Sequence, residues 1–196
     1  MATERLKEVL AFVNHKGGVG KTTTVQNLAT GLCRFGKGYF GMDAEGKRRA
    51  PRVLIIDLDP QACASFLFGW SETQQMGKPT VYDALVQQGQ LPIYKVRDNI
   101  YLAPASGRLI GIEPFLNQMA VPRKALCKLL AKQLAEMQGT DLADEGTTNV
   151  TEAFDYVLID CPPAMSLLTH NALTAATSVV LPVQLEMLAT KGIAEM

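Results

Sequence analysis

The sequence predicts an α/β protein: a mostly parallel sheet with helices on both faces. Three observations carry this. Apolar runs rich in Val, Leu and Ile recur at residues 8–13, 52–57 and 154–160. They are continuous rather than alternating, as strands covered on both faces are. Helical patterns lie between them, which points to βαβ units.

The first run, EVLAFV, leads into NHKGGVGKTTT at residues 14–24. A helix is expected from about Lys21 to Phe35, with Val25, Leu28, Ala29 and Leu32 on one face and Gly36 and Gly38 ending it. The second run, RVLIID, is followed by Leu58-Asp59-Pro60-Gln61. A further helix is expected around 121–138, where Pro122 suits a first helical position and Leu126, Leu129, Leu130, Leu134 and Met137 recur at helical spacing. The third run, FDYVLID, ends at Asp160 before Cys161-Pro162-Pro163. A fourth, SVVLPV at 178–183, is weakened by Pro182. Residues 37–51 and 139–151 read as surface insertions rich in small, polar or charged residues.

The chain has 196 residues, a length that suits one domain with a real core. Its 47% hydrophobic and 19% charged composition is ordinary for a globular protein. A formal net charge of zero gives no electrostatic argument for nucleic acid. The basic cluster Lys47, Arg48, Arg49 and Arg52 reads as a solvated loop. The four cysteines are too widely spaced for a C-x-x-C motif. The acidic N-terminus is not a secretory signal, and no apolar run approaches the roughly 20 residues that span a bilayer. A reducing cytoplasm is the expected compartment.

In an open parallel sheet, ligands bind beyond the carboxyl ends of the strands. Here those ends carry a glycine loop with two lysines and three carboxylates, Asp57, Asp59 and Asp160. That is the chemistry a magnesium–nucleoside triphosphate needs. Gly17, Gly18 and Gly20 let backbone N–H groups approach phosphate oxygens, and the following helix adds its dipole. Lys21 would reach the β- and γ-phosphates, and the Thr22 hydroxyl would ligate magnesium. Asp160 fits the magnesium-holding acid, with Asp57 a second candidate. Residue chemistry alone does not tell Asp57 from Asp59. If the strand runs on, both side chains point to the same face. His15 and His170 have no neighbouring ligand cluster and read as structural.

KGGVGKTTT, LIIDLDPQA and DYVLIDCPP, in this order, resemble the ParA partition ATPases of the wider ParA/MinD group. Residues 80–85, 103–106, 167–176 and 181–192 resemble further ParA segments. The loop lacks the usual opening glycine, because position 15 is His15, and carries an extra lysine, Lys16. The family is known for this deviant Walker A loop. The resemblance implies a P-loop ATPase that uses Mg2+ and hydrolyses ATP to ADP, weakly when alone, with ATP held by residues Lys16, Gly17, Gly18, Val19, Gly20, Lys21, Thr22 and Thr23. It implies that Lys16 reaches the nucleotide of a second subunit in an ATP-bound homodimer. It also implies that Asp59 orients the attacking water, and that Thr22, Asp57 and Asp160 hold magnesium.

The implied role is plasmid or chromosome partition, with a centromere-binding ParB-type partner and nonspecific, nucleoid-associated DNA. Family members continue for several strands and helices past the segment matching LEMLATKG, so a domain shortened at its C-terminal side is expected. Two alternatives are weighed against this. A MinD-like membrane-positioning ATPase would need a C-terminal amphipathic helix, and none is visible. A binding scaffold without turnover would lack some of the chemistry, yet Lys16, Lys21, Asp59 and Asp160 are all present.

Overall fold

The computed structural model describes residues 8–36, 49–71, 76–135 and 154–184. Six strands form one sheet: β1 (Glu8–Phe12), β2 (Val53–Asp57), β3 (Tyr94–Arg97), β4 (Ile100–Ala103), β5 (Tyr156–Asp160) and β6 (Ser178–Val180). Their order across the sheet is β3-β4-β2-β5-β1-β6. Every pairing is parallel except β3 with β4. The helices are α1 (Lys21–Phe35), α2 (Cys63–Leu67), α3 (Val81–Gln87), α4 (Glu113–Asn117), α5 (Ala125–Ala135) and α6 (Leu167–Ala175).

Strand alternation distributes side chains to two cores. Leu54, Ile56, Val157 and Ile159 pack toward α3, α5 and α6 on one face. Phe12, Val53, Ile55 and Leu158 pack toward Val25 and Ala29 of α1 on the other. The central strands are therefore buried on both sides, which is why their sequences read as unbroken apolar runs.

Helix α1 has the expected bounds, and its N–H at Gly36 returns to Leu32 O at 2.8 Å. A Cβ at position 36 would lie 2.4 Å from that carbonyl and 3.1 Å from the Pro51 ring, so only glycine fits this close crossing. The expected helix at 121–138 is corrected at its start. Pro122 opens a short 3-10 turn, Pro122–Lys124, and the α-helix begins at Ala125. Its first turn is capped from outside. The buried Asn171 of α6 accepts from Leu126 N at 3.0 Å and donates to Pro122 O at 2.9 Å. Leu126, Leu129 and Leu130 are core residues as expected, while the side chains of Leu134 and Met137 lie outside the described residues. Gly38, the span 139–151 and most of 37–51 lie outside them too.

In the basic cluster, Lys47 and Arg48 lie outside the described residues, and the expectation is corrected at Arg49. Arg49 is not a solvated charge: its guanidinium grips the buried Asp155 with two bonds of 2.6 and 2.7 Å. Asp155 also accepts from Arg52 N at 2.8 Å, which ties the entry of β2 to the entry of β5.

Candidate functional site

The site is assembled at the carboxyl ends of β1, β2 and β5. The loop after β1 bends through Gly18 (φ 74°) and Gly20 (φ 93°). Both lie in left-handed conformations that a side chain would strain. Val19 between them is buried and anchors the loop, while His15, Lys16, Gly17 and Gly18 are exposed. Asn14 organises the turn. Its Oδ1 accepts from Lys16 N at 2.9 Å, and its carbonyl accepts from Lys21 Nζ at 3.1 Å. The Lys21 ammonium, buried at 7% exposure, donates also to Lys16 O at 3.3 Å. It is thus folded back over the loop whose phosphate it would meet.

Thr22, one residue into α1, donates to Asp160 Oδ2 at 2.7 Å. The other oxygen of Asp160, Oδ1, is buried with no hydrogen-bond partner among the described residues. An orphaned carboxylate oxygen beside a threonine hydroxyl fits a hydrated divalent cation that arrives with phosphate oxygens. Among the described residues no group of three or more His, Cys, Asp or Glu forms a metal cage. Magnesium bound by nucleotide, one carboxylate and one hydroxyl needs no such cage.

Asp57 and Asp59 are separated by geometry that the sequence left open. The strand stops at Asp57, so the shared strand face does not extend to Asp59. Asp59 N donates to Asp57 Oδ1 at 3.0 Å, turning the chain. Asp57 Oδ2 accepts from both the backbone N and the hydroxyl of Ser65, at 2.8 and 2.7 Å, and Asp57 is fully buried. Asp59 is only partly buried and lines an open cleft of about 770 Å³. Gly17, Gly18, Gly20, Lys21, Thr22 and Thr23 line the same cleft, together with residues of α2 and Trp70.

Burial drives the electrostatics. It pushes the Asp160 carboxyl up to about 7, helped by the Asp57 charge, and the Thr22 hydrogen bond only partly offsets this. Burial raises Asp57 to about 6, against the pull of its Ser65 hydrogen bonds. Burial and the three nearby aspartates also raise the thiols of Cys63 and Cys161, which disfavours either as a nucleophile.

All the sequence-predicted site residues thus gather at one end of the sheet. Three contributors were not anticipated: Asn14, Ser65 and Gln184. Gln184 Nε2 donates to Gly18 O at 3.1 Å, and its Oε1 accepts from Lys16 Nζ at 3.3 Å. Only the proximity of Asn14 to the glycine loop was visible in the sequence. Ser65 and Gln184 reach the site through the fold.

A parallel sheet whose first strand feeds a glycine loop and a helix opened by Lys21-Thr22, with an aspartate on the adjacent strand bonded to that threonine, defines a P-loop nucleotide-binding domain. A model described as an AAA domain matches residues 7–196. The chromosome partitioning protein ParA of Caulobacter vibrioides is 35% identical over 193 residues, covering 96% of this chain and 60% of that protein. The sporulation initiation inhibitor protein Soj of Bacillus subtilis is 35% identical over 192 residues, with 96% and 63% covered. A crystal structure of cobyrinic acid a,c-diamide synthase from Mycobacterium smegmatis, with bound ADP and magnesium, superposes with a TM-score of 0.74 at 33% identity, covering 97% of this chain and 65% of that one. The chain belongs to the ParA/MinD-like family of P-loop ATPases. It spans about three fifths of the length of the curated relatives it matches.

Proposed function

We propose that this chain is the nucleotide-binding and hydrolysing domain of an ATP-dependent dimerisation switch used in DNA segregation. The observation that carries the reading is the Thr22–Asp160 hydrogen bond of 2.7 Å at the mouth of the phosphate loop, with Lys21 held above that loop. Residues 1–196 are read as belonging to one domain, with insertions near 37–51 and 139–151.

In this reading the loop 16–23 wraps the phosphates of ATP, and Lys21 turns from the Asn14 and Lys16 carbonyls to the β- and γ-phosphates. Thr22 and Asp160 would hold Mg2+, with the buried Asp57 beside them as a further carboxylate. When bound, the ion would supply positive charge to offset that on the transferring phosphoryl group. Asp59, in the open cleft, orients a water for in-line attack at the γ-phosphorus. The Pγ–O bond to ADP breaks as the new bond forms, releasing ADP and phosphate. Lys16 of a second copy supplies positive charge to the transferring group, a device worth roughly 10³–10⁵ in rate when provided in trans. The dimer would act in the cytoplasm on nonspecific DNA of the nucleoid, with a centromere-binding ParB-type protein stimulating turnover. Partition is favoured because Caulobacter ParA and Soj resemble the chain over nearly its whole length.

Three substitutions test the roles separately. Lys21→Ala should abolish ATP binding, read through Trp70, the single tryptophan, which lines the cleft; unchanged affinity refutes the phosphate-loop reading. Asp59→Ala should bind ATP and dimerise with little turnover, so normal hydrolysis removes Asp59 from the mechanism. Lys16→Ala should bind nucleotide as a monomer yet fail to dimerise, and a fully active dimer refutes the trans role.

A further inference from the structure

Past β6 the chain stays against the phosphate loop. Val13 N donates to Val180 O at 3.0 Å, and Asn14 Nδ2 donates to Pro182 O at 2.8 Å. Two residues on, the Gln184 amide grips the loop twice: its nitrogen donates to Gly18 O and its oxygen accepts from the Lys16 ammonium. A carboxamide can do both at once, because it carries a donor and an acceptor on one short fork.

We propose that Gln184 is a positioning residue for Lys16, holding its ammonium against its own loop in the nucleotide-free chain and releasing it when Lys16 engages a second copy. This rests on the trans role of Lys16 proposed above. The hold is weak by design of its chemistry. An exposed hydrogen bond of 3.3 Å to an ammonium biases a population several-fold rather than locking it. A triphosphate offered by a second copy brings far more negative charge and wins the competition. The same amide also fixes Gly18 O, so release of Lys16 and adjustment of the loop would be coupled.

The test reads Lys16 directly. The nucleotide-free chain is acetylated at low reagent excess, and modification of the Lys16 amine is followed by peptide mass spectrometry. Gln184→Ala should speed acetylation of Lys16 about threefold, the factor expected for loss of one exposed polar contact. Gln184→Glu should slow it, because a carboxylate holds the ammonium charged and close. A merely structural role would move both variants in the same direction. Sedimentation with Mg2+ and a slowly hydrolysed ATP analogue should show the alanine variant assembling at lower protein concentration and the glutamate variant at higher. Unchanged Lys16 reactivity in both variants, or a shift of the same sign in both, overturns the proposal. If Lys16→Ala blocks assembly while the Gln184 variants leave Lys16 reactivity unchanged, the hold alone is refuted. If Lys16→Ala assembles as the unsubstituted chain does, the trans reading fails and takes the proposal with it.

Discussion

Asp57 and Asp160 are register partners on the adjacent parallel strands β2 and β5, and both are fully buried. Same-register neighbours in a sheet point to the same face, so two carboxylates share one desolvated corner, and among the described residues no arginine or lysine is bonded to either. Among the described residues, the hydrogen bonds to them come from hydroxyl and backbone donors. Two anions so placed are destabilising unless protonated or bridged by a cation.

Removing one of the charges should therefore separate stability from function. Asp160→Asn is expected to raise the thermal midpoint of the nucleotide-free chain, since a buried anion with an orphaned oxygen becomes neutral. The same variant should lose the additional stabilisation that Mg2+ gives the nucleotide complex. Calorimetry with and without Mg2+ checks both; a lower midpoint together with retained Mg2+ stabilisation refutes the assignment.

The pH dependence has a definite sign. Both carboxyls have folded-state pKa values raised above the usual carboxylate range, to about 7 and about 6. Their contribution to stability is fully present below the unfolded value and is lost as pH rises through the folded values. Denaturant midpoints of the nucleotide-free, Mg2+-free chain should fall between about pH 4 and 8. Added Mg2+ with ADP should restore stability most at the upper end, where both groups are ionised. Asp160→Asn should flatten the fall.

Ser65 supports Asp57 and also accepts from Ala105 N at 3.0 Å. Ser65→Ala leaves that buried N–H without its partner and strips one donor from the carboxylate. A loss of about 1–3 kcal/mol is expected, the cost of an unmet buried polar group. Urea denaturation measures it, and a change near zero would mean that the hydroxyl is dispensable.

Ala62, between Asp59 and α2, has φ 52° and ψ 32°, a left-handed conformation for a residue that carries a Cβ. Ala62→Gly relieves about 1–2 kcal/mol of strain, less about 0.5–1 kcal/mol of added unfolded-state entropy. A net gain of about 0.5 kcal/mol is expected. Ala62→Val should cost at least as much as the glycine gains, because β-branching is worst tolerated there. Equal stability of all three would show that the turn relaxes freely.

How far the sequence carried is explained by where each element's partners lie. β1, β2 and β5 were legible because burial on both faces imposes unbroken apolar runs. β3 and β4 were not: Tyr94–Arg97 alternates half-buried and exposed residues, as an edge strand does, and each strand has only four residues. The Asp98-Asn99 turn between them, with Asn99 at φ 60°, was the available hairpin signal. Helix α2, at five residues, is too short to show a period. The phosphate loop, Thr22 and the three aspartates were legible because their chemistry is local. The difference between Asp57 and Asp59 was not, since it depends on the strand stopping at Asp57 and on Ser65 closing over it. Gln184 meets Gly18 across 166 residues, and no local spacing encodes such a contact.

The same long reach has a consequence for the time at which the loop becomes competent. Asn14 closes on Pro182 across 168 residues of chain, and β1 is flanked by β5 and β6 rather than by any near neighbour. A ribosome adding 5–20 residues per second needs roughly ten to thirty seconds to deliver the far partner. Until then the emerging phosphate loop has neither of its flanking strands, and its β1 is a bare apolar strand. The part of the site that is translated earliest is therefore among the last to be finished, and nascent chains depend on whatever shields β1 during that interval.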